Sequence, residues 1–248
     1  MSGSHSLTAF YTPIAPAFKE ALRGTDYQLP EFEKAVGDEF TGIRVVIYTS
    51  HGPELPELHV PVTYLRERGA DVVIATQDWI FDYQPSAPGH VALSEWLSVT
   101  VSVKADLRVS EALQEISKID CLITIGGAWN PIVSRTDGNV LQLVREVSEK
   151  GGLLASICHG PQLLVSANFL PQGTRATGVA DIRLDMKNAG FEVDETAQVI
   201  FDERSNLITS PDPNALKEFC LEIGRVLLKR KQESIMQTAE QTVSAQER

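Results

Sequence analysis

A three-layer α/β sandwich, with helices on both faces of a mainly parallel central sheet, is the fold class that this sequence predicts. Two observations predict it. Near the start of the regular pattern, "IRVVIYTS" (43–50) is a β-branched run, "LPELHVPVTYLRERG" (55–69) fits an amphipathic helix, and "ADVVIATQ" (70–77) is a second strand-like run. That spacing suits two parallel strands joined by a crossover helix. The alternation then repeats. "IDCLITIGG" (119–127) predicts a strand, "NVLQLVREVSEKG" (139–151) a helix, "GLLASI" (152–157) a strand and "GPQLLVSANFL" (160–170) a helix.

The other elements fit around this frame. "DWIFDYQPSAPGHVALSEWLSVTVSVKADL" (78–107) is an insertion, and its alternating "LSVTVSVK" (97–104) predicts a strand on the sheet edge or in a small ribbon. "DIRLDMKNAG" (181–190) reads as a helix with a glycine stop. "AQVIFDERSNLITS" (197–210) reads as a hairpin turning near Ser205 and Asn206, and "NALKEFCLEIGRVLLKRK" (214–231) as a long closing helix. The expected organisation is a proline-rich extension (1–41), one α/β domain (42–230) and a polar tail (231–248), mobile or packed on a partner.

Composition narrows the function classes. A net charge of -11 argues against a nucleic-acid or anionic-membrane surface, which needs concentrated positive charge. Cys121, Cys158 and Cys220 are too few and too scattered for a disulfide framework or a zinc cluster. The N-terminus lacks a basic segment followed by an apolar core, and no apolar run approaches bilayer length. The expected setting is cytoplasmic and reducing, which keeps a thiol available. His51, His59 and His90 match no zinc spacing, so no metal is expected; no Gly-rich phosphate loop occurs either. Trp79, Phe81 and Tyr83 read as insertion core or dimer contact.

The chemistry concentrates in "GGLLASICHGPQLLVSANFL" (151–170). Cys158 stands where a strand gives way to a helix, at the strand end where open parallel sheets collect ligands. Ser156-Ile157-Cys158-His159-Gly160 has the small-x-nucleophile-x-small form of a nucleophile elbow. The helix start should favour thiolate over thiol. Cys121 and Cys220 read as small buried hydrophobes.

This segment resembles the nucleophile region of the PfpI/ThiJ superfamily, whose PfpI branch carries a nearly identical A-S-I-C-H-G-P-Q run. The similarity extends from about Ile43 to Lys229, through "ITIGGAWNP" and "KNAGFEVDE". The resemblance implies a flavodoxin-like domain of the class I glutamine amidotransferase type, commonly dimeric or larger. It also implies a glutamate four residues before a helical proline, which is Glu57 before Pro61; Glu54 is the neighbouring competitor, readable as a helix-start carboxylate. A carboxyl beside a thiolate should have a raised pKa and could move a proton. Gly126 and Gly127 are the expected oxyanion loop, with the N–H of Gly127 joined by that of His159.

In the family the residue at His159 is often assigned as a base paired with an acid. The PfpI branch takes that acid from a neighbouring subunit, at a Glu in the glycine-pair loop, where this chain has Trp129-Asn130-Pro131. Asp181 aligns with a triad aspartate of another branch, although "VADIRLD" also reads as a helix N-cap at Asp181. The resemblance implies cofactor-free chemistry on a small aldehyde or glycated substrate: glyoxalase III-type conversion of 2-oxoaldehydes such as methylglyoxal, or deglycase activity. A cysteine peptidase or amidase, and a stress chaperone or redox sensor with an oxidisable cysteine, are the alternatives.

Overall fold

The structure, a computed structural model, describes residues 29–35, 37–83, 88–92 and 102–246. The chain enters the central sheet through β1 (Arg44–Tyr48), and α1 (Leu55–Arg66) returns it to β2 (Asp71–Thr76). The insertion contains α2 (Asp78–Tyr83), β3 (His90–Ala92) and β4 (Ser102–Lys104), then β5 (Leu107–Arg108) and α3 (Val109–Gln114). Next come β6 (Cys121–Thr124), α4 (Trp129–Ser134), α5 (Gly138–Glu149), β7 (Leu153–Ile157) and α6 (Pro161–Ala167). β8 (Arg175–Ala176), α7 (Arg183–Asn188) and β9 (Glu192–Val193) precede the hairpin of β10 (Ile200–Asp202) and β11 (Leu207–Ser210), and α8 (Leu216–Gln246) closes the chain.

The main sheet runs β10-β11-β7-β6-β1-β2-β5, parallel at every pairing except β10 with β11. The three-layer, mainly parallel fold class expected from the sequence is the one observed. Side chains along β1 alternate between its faces, as a strand's geometry requires. Val45 and Ile47 join a core with Leu58 of α1 and Phe219 of α8, whereas Val46 and Tyr48 join Leu143 of α5 and Leu163 of α6. In α5, Val140, Leu143, Val144 and Val147 form the buried stripe, and Asp137 caps the helix by accepting from the N–H groups of Asn139 and Val140.

Several boundaries differ from expectation for identifiable reasons. β5 adds a short parallel edge strand through Ala75 and Thr76, and β4 pairs with β3 in a separate two-stranded ribbon. Residues 97–101 of the strand expected there lie outside the described residues, as do residues 1–28 of the N-terminal extension. The end of that extension belongs to the core: Phe40 is fully buried, and the Phe32 ring meets that of Tyr64 at 4.7 Å. Helix α6 stops before Asn168, which adopts a left-handed backbone (φ 48°). Helix α8 continues through the segment expected as a tail, because residues 229–246 contain neither Gly nor Pro to stop it. No described helix is long and apolar enough to cross a membrane.

Candidate active site

The chain runs outward from β1 to β2 and then crosses back to place β6 on the other side of β1. That reversal leaves a crevice at the carboxyl ends of the strands. Three segments meet there: the first turn of α1, which follows β1 and carries Glu57; the connection after β6, which carries Gly126 and Gly127; and the connection after β7, which carries Cys158 and His159.

Cys158 adopts a left-handed backbone with φ 59°. A non-glycine residue in that region costs about 1–3 kcal/mol, and surrounding contacts must hold it there. They do so on both sides: the Cys158 N–H donates to the carbonyl of Ser210 at 3.0 Å, and its own carbonyl accepts from Val179 at 3.2 Å. The turn then passes Gly160, where a Cβ would lie 2.3 Å from the Thr124 carbonyl oxygen, so only glycine fits before α6 begins. The sulfur therefore projects from a fixed elbow, in a residue only 6% exposed.

Glu57 lies in the first turn of α1 and is completely buried. Its Oε2 accepts the Gly126 N–H at 2.6 Å, and the carboxyl lies beside the Cys158 side chain; its Oε1 is buried with no hydrogen-bond partner among the described residues. Pro61 offers no N–H to the carbonyl of Glu57 four residues earlier, which loosens the helix behind the carboxyl. Burial raises the Glu57 pKa to about 8, against the lowering effect of the Gly126 N–H and the neighbouring Cys158 thiol; the carboxylates of Glu54 and Asp212 raise it further. Of the two glutamates weighed from the sequence, Glu57 is the one that reaches the sulfur.

The expected bias towards thiolate is reversed in direction. Burial pushes the Cys158 thiol up, the Glu57 carboxylate adds to this, and the N–H groups of Gly127 and His159 pull it back only in part. Two negative charges in one dry site are unfavourable, so the pair retains a proton between them. Those N–H groups are the two expected at an oxyanion, and they converge on the sulfur. Both loop glycines are required. A Cβ on Gly126 would come within 2.7 Å of the Cys158 Cβ and 2.9 Å of Glu57 Oε2, and one on Gly127 (φ 81°) within 2.1 Å of the Gly52 carbonyl.

The His159 ring reaches the sulfur, with Nδ1 3.3 Å from Sγ, because the left-handed elbow turns neighbouring side chains towards each other. Its Nε2 lies 3.0 Å from Asp181 Oδ2. Asp181 sits inside a short turn (Ala180–Ile182) whose cap is Val179, so its carboxylate serves the imidazole instead of capping a helix. A proton on Nε2 facing Asp181 leaves Nδ1 as an acceptor towards the thiol. That pair is at the surface, with the Asp181 side chain 67% exposed.

Sequence reasoning missed Asn130. It is fully buried, donates through Nδ2 to the carbonyls of Ile125 (2.7 Å) and Gly126 (3.0 Å), and accepts the Ser50 N–H at 2.6 Å. One side chain thus ties the glycine loop to the end of β1. An Asn-Pro pair after two glycines signals a turn and nothing more, so no local signal marks this role. Trp129 beside it is exposed, and the His51 and Trp79 rings meet edge-on at 5.4 Å. Among the described residues no cluster of His, Cys, Asp and Glu is arranged to hold a metal ion. Cys121 and Cys220 are buried in the core, as expected.

The family model described as "DJ-1/PfpI family" matches residues 43–225. The Thermococcus kodakarensis protein named "Deglycase TK1284" is 32% identical over 185 residues, covering 75% of this chain and 99% of the relative. Escherichia coli "Protein/nucleic acid deglycase 2" is 32% identical over 126 residues, covering 50% and 71% of the two chains. Among solved structures, Drosophila melanogaster DJ-1beta superposes with a TM-score of 0.64 at 22% identity, covering 78% of this chain and 97% of that one.

Proposed function

The chain belongs to the DJ-1/PfpI family, and from that premise we propose that it is a cysteine-dependent enzyme acting on 2-oxoaldehydes and on the early adducts they form with amines. One observation carries the reading: a fully buried carboxyl, Glu57, packs with Cys158 against the same glycine, Gly126, and burial raises its pKa to about 8. Such a pair supplies a nucleophile and a mobile proton in the same small volume.

In the proposed sequence, the Cys158 thiolate adds to the aldehyde carbon of methylglyoxal, forming a C–S bond. The carbonyl π electrons move to oxygen, which takes up a proton, giving a hemithioacetal. Glu57, as carboxylate, removes the proton from that carbon and returns it to the adjacent one, while the hydroxyl proton passes to the neighbouring oxygen, so the aldehyde carbon is oxidised while its neighbour is reduced. The product is a thioester of lactate on Cys158. Water, activated by the His159–Asp181 pair, cleaves the C–S bond and releases lactate and the thiol. The net change is addition of one water, and no external oxidant or reductant is needed. With an amine adduct, the same attack at the former aldehyde carbon expels the amine, which takes the proton.

The linear array of sulfur, imidazole and carboxylate favours a second reading, amide hydrolysis, since it has the nucleophile–base–acid order of thiol hydrolases. One set of assays separates the two: methylglyoxal consumption, release of amine from a methylglyoxal-treated arginine peptide, and cleavage of an unmodified peptide. Turnover of the first two that disappears in Cys158→Ala is the expected result. Cleavage of the unmodified peptide alone supports the second reading; full aldehyde turnover by Cys158→Ala overturns the first, and peptide cleavage unchanged in that variant overturns the second.

A further inference from the structure

The amino ends of β1, β6 and β7, at the opposite edge of the sheet from Cys158, open onto a cavity of about 410 Å³. Its apolar wall includes Ile119, Leu227 and Ile235, and its basic side chains are Lys150, Arg230 and Lys231. We propose that this cavity binds a small amphipathic anion, an aromatic or short-chain phosphate or carboxylate. The charged end would lie against Lys150 and Arg230 and the apolar body against Leu227 and Ile235.

The charge arrangement carries the argument. The chain has a net charge of -11, and many of its cations are paired: Arg44 with Asp71 and Glu115, Arg108 with Asp82, Lys187 with Glu195, and Arg225 with Glu222. Among the described residues, none of the three cavity cations forms an ion pair with a carboxylate. The half-buried Arg230 guanidinium donates only to neutral acceptors, the Gly151 carbonyl (3.2 Å) and Asn206 Oδ1. Lys231 donates to the Glu39 carbonyl at 3.0 Å. The lining contains one carboxylate, Asp120, and its Oδ2 accepts the Arg44 N–H at 2.8 Å. The cavity rim is thus left with excess positive charge.

Burial disfavours the charged form of the half-buried Arg230, and the carboxylates of Glu233 and Asp120 offset this only in part, so an anion beside the guanidinium adds attraction where the charge is least well compensated. There is also room. Gly42 and Gly151 line the cavity, and a Cβ on either would meet nothing within 4 Å. The volume falls in the range of small-ligand sites, roughly 300–1,000 Å³, and an apolar wall with a few convergent polar groups is their usual composition.

The test is a calorimetric titration of the full chain with phenyl phosphate, inorganic phosphate and phenol at low salt. Wild type and Cys158→Ala should both bind phenyl phosphate saturably, phosphate more weakly, and phenol without saturation. The Lys150 side chain is exposed and makes no hydrogen bond or ion pair among the described residues, and its backbone N–H bond to the Glu146 carbonyl does not depend on side-chain type, so Lys150→Glu leaves the fold intact. That variant should bind phenyl phosphate about tenfold more weakly or worse, with unchanged methylglyoxal turnover. Absence of saturable binding, equal affinity in Lys150→Glu, or loss of binding in Cys158→Ala overturns the proposal. Phosphate binding as tight as phenyl phosphate overturns its apolar half.

Discussion

The two ends of the central sheet use opposite devices. At the carboxyl ends, Cys158 and Glu57 are buried, the backbone is left-handed at Cys158, and further carboxylates (Glu54, Asp212, Asp181) stand nearby. At the amino ends, cations line an open cavity and no backbone strain is concentrated on a reactive group. The difference shows how a parallel sheet divides labour. Its carboxyl ends feed tight turns into helix starts, which fix a small group accurately; its amino ends gather helix ends and long side chains, which suit looser recognition by charge.

The sharpest way to break this division is a crossed pair of variants. Cys158→Ala should abolish aldehyde turnover while phenyl phosphate still binds; Lys150→Glu should do the reverse. A single variant that removes both functions would show that the ends are not separate. Next in size is Glu57→Gln. It keeps the shape of the side chain but removes the mobile proton, and kcat should fall by about 10²–10⁴-fold. Because the Glu57 charge pushes the Cys158 thiol up, the variant's thiol should also ionise at lower pH, read from the pH dependence of iodoacetamide labelling.

The pH profile gives a smaller, signed effect. A carboxyl raised to about 8 keeps the Cys158–Glu57 pair fully protonated at low pH, and the singly ionised, reactive form grows as pH rises towards 8. Aldehyde kcat/KM should rise across that interval. Removing the neighbouring charge by Glu54→Gln should move the rise to lower pH, and an unmoved limb would show that Glu54 does not act on the pair. The same shift affects folding. A raised carboxyl pKa contributes stability that is present below the unfolded value of 4.5 and is lost as pH climbs through about 8. The Tm of Glu57→Gln should therefore gain on wild type between about pH 5 and pH 9.

Much of this was legible from local pattern. β1, β2, β6 and β7 are continuous apolar runs, and the elbow announces itself through a reactive residue followed by Gly and Pro. β5 was not legible, because Leu107 and Arg108 become a strand only by pairing with Ala75 and Thr76. Helix α4 was not either: it buries Asn130, Pro131 and Ser134 while exposing Trp129 and Ile132, the inverse of an amphipathic signal. It is held by polar contacts, including Tyr48 Oη to Ser134 Oγ at 2.6 Å. The ionisation of Cys158 also escaped sequence reasoning. Helix-start position is visible in a sequence, and the resemblance implied a carboxyl at Glu57, but the depth of burial that decides the balance is a property of the assembled crevice.

The left-handed backbone at position 158 has a consequence of its own. Every side chain bearing a Cβ meets the same conformational penalty there, so the usual ranking of small residues should invert, with Cys158→Gly more stable to unfolding than Cys158→Ala by about 1 kcal/mol. Selection for robustness alone would push this position towards the smallest residue. A sulfur at a backbone angle that favours glycine points to a demand from outside the folding problem.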